Sequence, residues 1–194
     1  MAKDTGIKTS GKTKIIAERG KQELFIIREF EAPREMVFRA YTDARLYVSW
    51  MGPKRFSMNL EKFEPIEGGS FRFIHKDTDG AEYAFHGVFH EILAPERLIG
   101  TFEFEGLPEK GHVELDTAKF EELPGGRTKL TIQAVYQSVE DRNGMVDGGM
   151  EAGISEGFER LDELLIEMQT ISAGDSYDDL YDDMYLTELA DEME

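Results

Sequence analysis

Cysteine is absent from the 194 residues, which excludes disulfides and any zinc, iron–sulfur or nucleophilic site built on thiolates. Long apolar runs are missing too: nothing approaches the ~18 residues of a membrane span, and the lysines Lys3, Lys8 and Lys12 are not followed by the apolar stretch of a signal peptide. A soluble, cytoplasmic protein is the expectation. Basic residues are scarce, 22 against 40 acids, for a net charge of −18. Such a field repels phosphate backbones and anionic lipid, so neither nucleic acid nor a membrane is expected as a partner. The scarcity is uneven. All 22 basic residues and 28 of the acids lie within residues 1–160, while twelve acids and no Lys or Arg follow Arg160. The chain therefore divides into a flexible N-terminus (1–13), one domain (14–170) and an acidic tail (171–194).

From Lys14 to Phe30, β-branched and aromatic residues on either side of Gly20-Lys21 predict a hairpin or two short strands. Pro33 suits a helix start, with Val37, Ala40 and Tyr41 on one face; Thr42-Asp43 can cap a second short helix carrying Leu46, Tyr47 and Trp50, stopped by Gly52-Pro53. Antiparallel strands then follow over 56–63, 70–75, 82–92, 98–104, 113–121 and 128–136. Alternation puts Phe71, Phe73 and His75 on one face, and likewise Tyr83, Phe85, Gly87 and Phe89, then Phe102 and Phe104. The cover for this aromatic face is a single helix from about Met145 to Met168, with Met150, Gly153, Ile154, Gly157, Leu161, Leu164, Leu165 and Met168 in one stripe. Gly153 and Gly157 each cost ~1 kcal/mol of helix propensity relative to Ala. They mark either close backbone approach or space left between helix and sheet.

This order of elements resembles the helix-grip (START-like, Bet v 1-like, SRPBCC) fold: an α+β domain whose curved antiparallel sheet wraps a long C-terminal helix, with two short helices after the first strand. The segments REFEAPREMVFRAYTDARLYVSWMGP (28–53), EPIEGGSFRF (64–73), GVFHEILAPERLIGTFEFEG (87–106), GGRTKLTIQAVY (125–136) and DGGMEAGISEGFERLDELL (147–165) resemble the Hsp90-ATPase-activator-homologue-like (AHSA1-like) family over about residues 22–167. Trp50-Met51 stands where the family often has a Trp-Trp pair, and the tail after about Ala173 is outside the family pattern. The resemblance implies a deep groove between sheet and long helix suited to an apolar ligand. Relatives in the wider superfamily include polyketide cyclases and lipid carriers, and the eukaryotic namesake stimulates a chaperone ATPase.

The candidate ligand-binding residues are Tyr41, Trp50, Phe71, Phe73, His75, Tyr83, Phe85, Phe89, Phe102, Phe104, Met150, Gly153, Ile154 and Gly157. Any one of them taken singly reads as plain core; as a set they form the mostly apolar lining, with a few polar groups (Tyr41, Tyr83, His75), that ligand sites have. His75 is either a handle in the groove or a histidine satisfied at a strand end. His86 and His90, four apart on a strand, stand about 13 Å from each other, too far for one ion. No metal site, cofactor or catalytic residue is predicted, because most carboxylates fall on exposed strand faces and turns and no acid/base pair stands out. Gly6–Thr13 matches G-x-x-x-x-G-K-[ST] letter for letter, but strand-like residues follow where a phosphate loop needs a helix, so no nucleotide is expected. In the tail, Tyr177, Leu180, Tyr181, Met184, Tyr185 and Leu189 recur at helical spacing among acids. That pattern is either a solvated terminus or a short amphipathic helix docking on a protein partner or a second copy. The leading expectation is non-catalytic binding of a small apolar or amphipathic ligand between sheet and helix. The alternatives are a cyclase- or dehydratase-type enzyme in the same cavity and an adaptor acting through the tail.

Overall fold

The computed structural model describes residues 7–10, through their backbone, and 12–172. The strands are β1 (Ile7–Ser10), β2 (Thr13–Ile16), β3 (Glu23–Phe30), β4 (Ser57–Phe63), β5 (Ser70–Lys76), β6 (Glu82–Leu93), β7 (Arg97–Phe104), β8 (Glu114–Leu123) and β9 (Arg127–Val135). All neighbours pair antiparallel, in the order β1-β2-β3-β9-β8-β7-β6-β5-β4. The first long strand therefore closes against the last, and the sheet curves around the helices as the helix-grip architecture requires.

Between β3 and β4 come α1 (Arg34–Thr42) and α2 (Ala44–Trp50). Pro33 takes the cap position of α1 rather than its first turn. Asp43 ends α1 and starts α2, its carboxylate accepting from the Arg45 and Leu46 amides at 3.0 and 3.3 Å. Trp50 is pinned by its indole N–H donating to the Ala40 carbonyl at 2.8 Å.

Part of the segment expected to be flexible, Ile7–Ser10, is strand β1, paired with β2 from Ile7↔Ile16 to Ser10↔Thr13. The C-terminal helix does not begin near Met145. A separate α3 (Val139–Asp147) precedes α4 (Met150–Ser172), and Gly149 separates them at φ +88°, a conformation that L side chains rarely adopt. Ser138 caps α3 by accepting from the Asp141 amide at 3.0 Å. The tail pattern from Tyr177 onward lies outside the described residues.

The C-terminal half of α4 is sealed: Phe158, Leu161, Leu164, Leu165 and Met168 are buried with Leu24, Ile26, Phe30, Leu130 and Phe120. Buried Arg28 of β3 binds Asp162 of α4 at 2.5 Å and Thr13 of β2 at 2.9 Å. Arg160 donates to the carbonyls of Ser49 and Gly52, at 2.5 and 3.1 Å. These bonds fix α4 over the β2–β3 end of the sheet and against α2. Toward its N-terminus the same helix is less covered, with Met150, Gly153 and Ile154 half-buried.

Candidate functional site

Cross-strand register assembles the predicted aromatic wall on the inner face of β5, β6 and β7. Phe85 is the hub, with ring centroids 5.2 Å from Phe73, 5.2 Å from Phe102 and 5.1 Å from Phe104. Phe71 lies 5.4 Å from Phe89, and Tyr83 lies 6.4 Å from Phe104. Phe71, Phe73 and Phe89 are buried, whereas Tyr83, Phe85, Phe102 and Phe104 are only half-buried. The helices thus leave part of the wall uncovered. Phe56, not among the predicted residues, extends it by stacking on Tyr83 at 5.5 Å; its alternation with Met58 and Leu60 against Ser57 and Asn59 was a signal readable in the sequence.

The helical candidates divide. Trp50 is core, stacked 6.3 Å from Phe158. Tyr41 packs on Trp50 at 4.7 Å and Phe120 at 5.3 Å, yet its hydroxyl is sealed from solvent without a hydrogen-bond partner. Met150 and Ile154 rest half-buried against the core. The two glycines of the α4 stripe sit at a helix–turn contact: a Cβ on Gly157 would be 3.3 Å from the Gly52 amide nitrogen, and one on Gly153 would be 3.6 Å from Pro53 Cγ.

His75 is 5% exposed, its ring against Gly52 and 4.9 Å from Phe73. Burial pulls its pKa down to about 4, with a hydrogen bond to the Met51 backbone acting in the opposite direction. The imidazole is neutral at physiological pH, and its Nε2 has no partner.

The largest departure from the sequence reading concerns carboxylates. Glu114 of β8 is buried, and Asp116, half-buried, has its Oδ1 sealed from solvent. They continue the inner face of Ala118 and Phe120, with Asp116 paired to Gly100 of β7 and Ala134 of β9, and Glu114 to Phe102. Gly100 and Ala134 put almost no side chain beside Asp116. Burial pushes the Glu114 carboxyl up to about 7, and burial followed by the charge of Glu114 raises Asp116 well above the ordinary range. The Tyr136 hydroxyl is close enough to pull Glu114 back, yet neither Tyr136 Oη nor Glu114 Oε2 makes a hydrogen bond of good geometry; Asp116 Oδ1 is likewise unpartnered. A sequence signal existed: acids at i and i+2 ahead of Ala118 and Phe120 on one face of a strand.

Elsewhere, a depression of about 670 Å³ lies on the outer face, lined among others by Lys62, Arg72, His86, Val88 and Glu103. Within it Arg72 binds Glu61 and Glu105, and His86 lies between Glu103 and Glu105. Among the described residues no group of His, Asp and Glu forms a metal site, and no helix is long and apolar enough to cross a membrane. At the phosphate-loop match, strand β2 begins at Thr13, where nucleotide binding would need a helix N-terminus.

With this geometry in place, the class of protein is a helix-grip α+β domain. The chain belongs to the family described as Activator of Hsp90 ATPase homolog 1-like protein, whose profile matches residues 31–166. No curated protein matches it. Among solved structures it is similar to a protein from Rhodobacter sphaeroides (25% identity, TM-score 0.70, covering 79% of this chain and 99% of that one). It is also similar to a protein from Arthrobacter aurescens (27%, TM-score 0.70, covering 83% and 91%). The AHSA1 protein of Silicibacter pomeroyi, at 18% identity and TM-score 0.62 over 75% and 99%, shares the fold.

Proposed function

We propose that the protein binds a small apolar or amphipathic ligand on the inner face of the sheet, between the β5–β8 wall and the N-terminal half of α4, without transforming it. The observation that carries this reading is the half-burial of Tyr83, Phe85, Phe102 and Phe104 on a face otherwise committed to the core. Aromatic rings held in mutual contact but left partly wet gain free energy when an apolar body covers them, at about 25 cal/mol per Å². The family fold is consistent with ligand binding. A second reading, a cyclase- or dehydratase-type enzyme in the same space, is favoured by one observation: Glu114 is buried beside Tyr136 with a carboxyl that titrates near neutrality. The test is fluorescence titration with an environment-sensitive apolar dye, followed by displacement with decanol. Saturable one-site binding that decanol reverses supports the proposal; absence of saturation contradicts it.

A further inference from the structure

Glu114 and Asp116 bring two carboxyl groups to the inner face, two positions apart on one strand. Around them stand polar atoms sealed from solvent: Asp116 Oδ1 and the Tyr41 hydroxyl, left without partners, and Glu114 Oε2 and the Tyr136 hydroxyl, close to each other but without a hydrogen bond of good geometry. Tyr136 is 4% exposed and Glu114 8%, so bulk water does not supply the missing bonds. Buried polar groups are ordinarily satisfied, and each one left open costs about 1–3 kcal/mol. Unsatisfied carboxyl and hydroxyl atoms around one strand, beside positions 100 and 134 whose residues carry little or no side chain, describe a receptor for a polar group rather than packed core.

We infer that this cluster receives the ammonium head of an amphipathic primary amine, whose apolar body lies along the half-buried aromatic wall. The inference rests on the ligand-binding reading above and names the ligand class. The donor set decides the chemistry. Two carboxylates accept, and a primary ammonium offers three N–H donors and a positive charge. A carboxylate or phosphate head would be repelled by the ionised forms and, unlike an ammonium, cannot stabilise them. The charged and titratable groups facing the pair are Tyr41 from α1, Tyr47 from α2 and Tyr136 after β9. Arg142 of α3 acts on Tyr136 but is absent from the influences on either carboxyl, and it donates to the Glu18 carbonyl at 3.0 Å. β7 contributes Gly100 and Phe102, with no charge. Among the described residues no Lys, Arg or His is an influence on either carboxyl. In the free protein burial favours the protonated forms of both carboxyls; an arriving cation favours the ionised forms and expels protons.

The experiment is calorimetry on the full chain with decylamine, decanol and decanoate, each below its micelle-forming concentration, at pH 7 in phosphate and in Tris. Expected is decylamine binding tighter than decanol by about tenfold or more. Decanoate should be weakest, and the decylamine heat should differ between the buffers in the sense of proton release. The isosteric double variant Glu114→Gln, Asp116→Asn should lose the preference for the amine. Decanol or decanoate binding as tightly as decylamine, a decylamine heat independent of buffer, or retention of the preference in the folded double variant would each overturn the inference while leaving the groove intact. Failure of all three probes to bind would remove the ligand-binding reading and this inference with it. The three-probe comparison needs no variant, so it decides even if the double variant does not fold.

Discussion

Gly52 lies directly against the ring of His75: a Cβ built on that glycine would stand 2.7 Å from Nε2. Its φ of +96° already disfavours an L side chain, so two independent costs coincide at one residue. Gly52→Ala is expected to destabilise the domain by about 2 kcal/mol or more, read by urea denaturation. A change within a few tenths of a kcal/mol would contradict the close packing of this turn on His75.

The same histidine and Glu114 impose opposite pH dependences. His75 falls from its ordinary 6.5 to about 4 on folding, so between those values the unfolded chain binds more protons, and stability is lost as pH falls. Glu114 rises from 4.5 to about 7, so its contribution is lost as pH rises through that window, with Asp116 acting in the same direction. The His75 and Glu114 effects are each on the order of 3 kcal/mol and oppose each other where their windows overlap, with Asp116 adding to the Glu114 side. Relative to wild type, Glu114→Gln should therefore gain stability from pH 4.5 to 7.5, and His75→Gln should gain it from pH 6.5 down to 4.5. Denaturation curves at four pH values check this, and parallel profiles for all three proteins would refute it.

The two helix glycines should respond differently. A methyl on Gly153 meets Pro53 Cγ at ordinary contact distance, so Gly153→Ala should stabilise by about 0.5–1 kcal/mol through helix propensity. On Gly157 the methyl meets backbone of Gly52 at 3.3 Å, and Gly157→Ala should lower the melting temperature. Equal gains from both would show that α4 is free to move away from α2.

Arg28, 2% exposed, depends on Asp162 to offset its buried charge. Asp162→Ala should cost about 3 kcal/mol by leaving the guanidinium uncompensated, whereas the apolar pair Arg28→Met with Asp162→Leu should recover much of that loss. Chemical denaturation of the three variants measures it; a double variant no better than Asp162→Ala would place the loss in packing rather than charge.

The meander and the first two helices were legible because their signals are local: period-two aromatics on β5 to β7, and Asp43 capping α2. α3 was not, since Val139–Asp147 carries no apolar stripe, although Ser138 with Asp141 is a capping signal that can be read from sequence. β1 was missed because four residues at a sheet edge show no alternation to read. The carboxylates were missed for a different reason. Acids were assigned to solvent by type, while strand alternation from Phe120 back through Ala118 places Asp116 and Glu114 inside. Gly153 and Gly157 illustrate the limit of pattern alone: their position on the stripe was clear, but only the structure brings Gly52 and Pro53 against them.

The central claim, that an apolar ligand occupies the inner face, is tested most directly by mapping amide and methyl chemical-shift changes on titration with decanol. The account predicts saturable shifts concentrated at Tyr83, Phe85, Phe102, Phe104, Met150 and Ile154. Shifts centred instead on Lys62, Arg72, His86 and Val88 of the outer depression, or no saturable shifts at all, would contradict it.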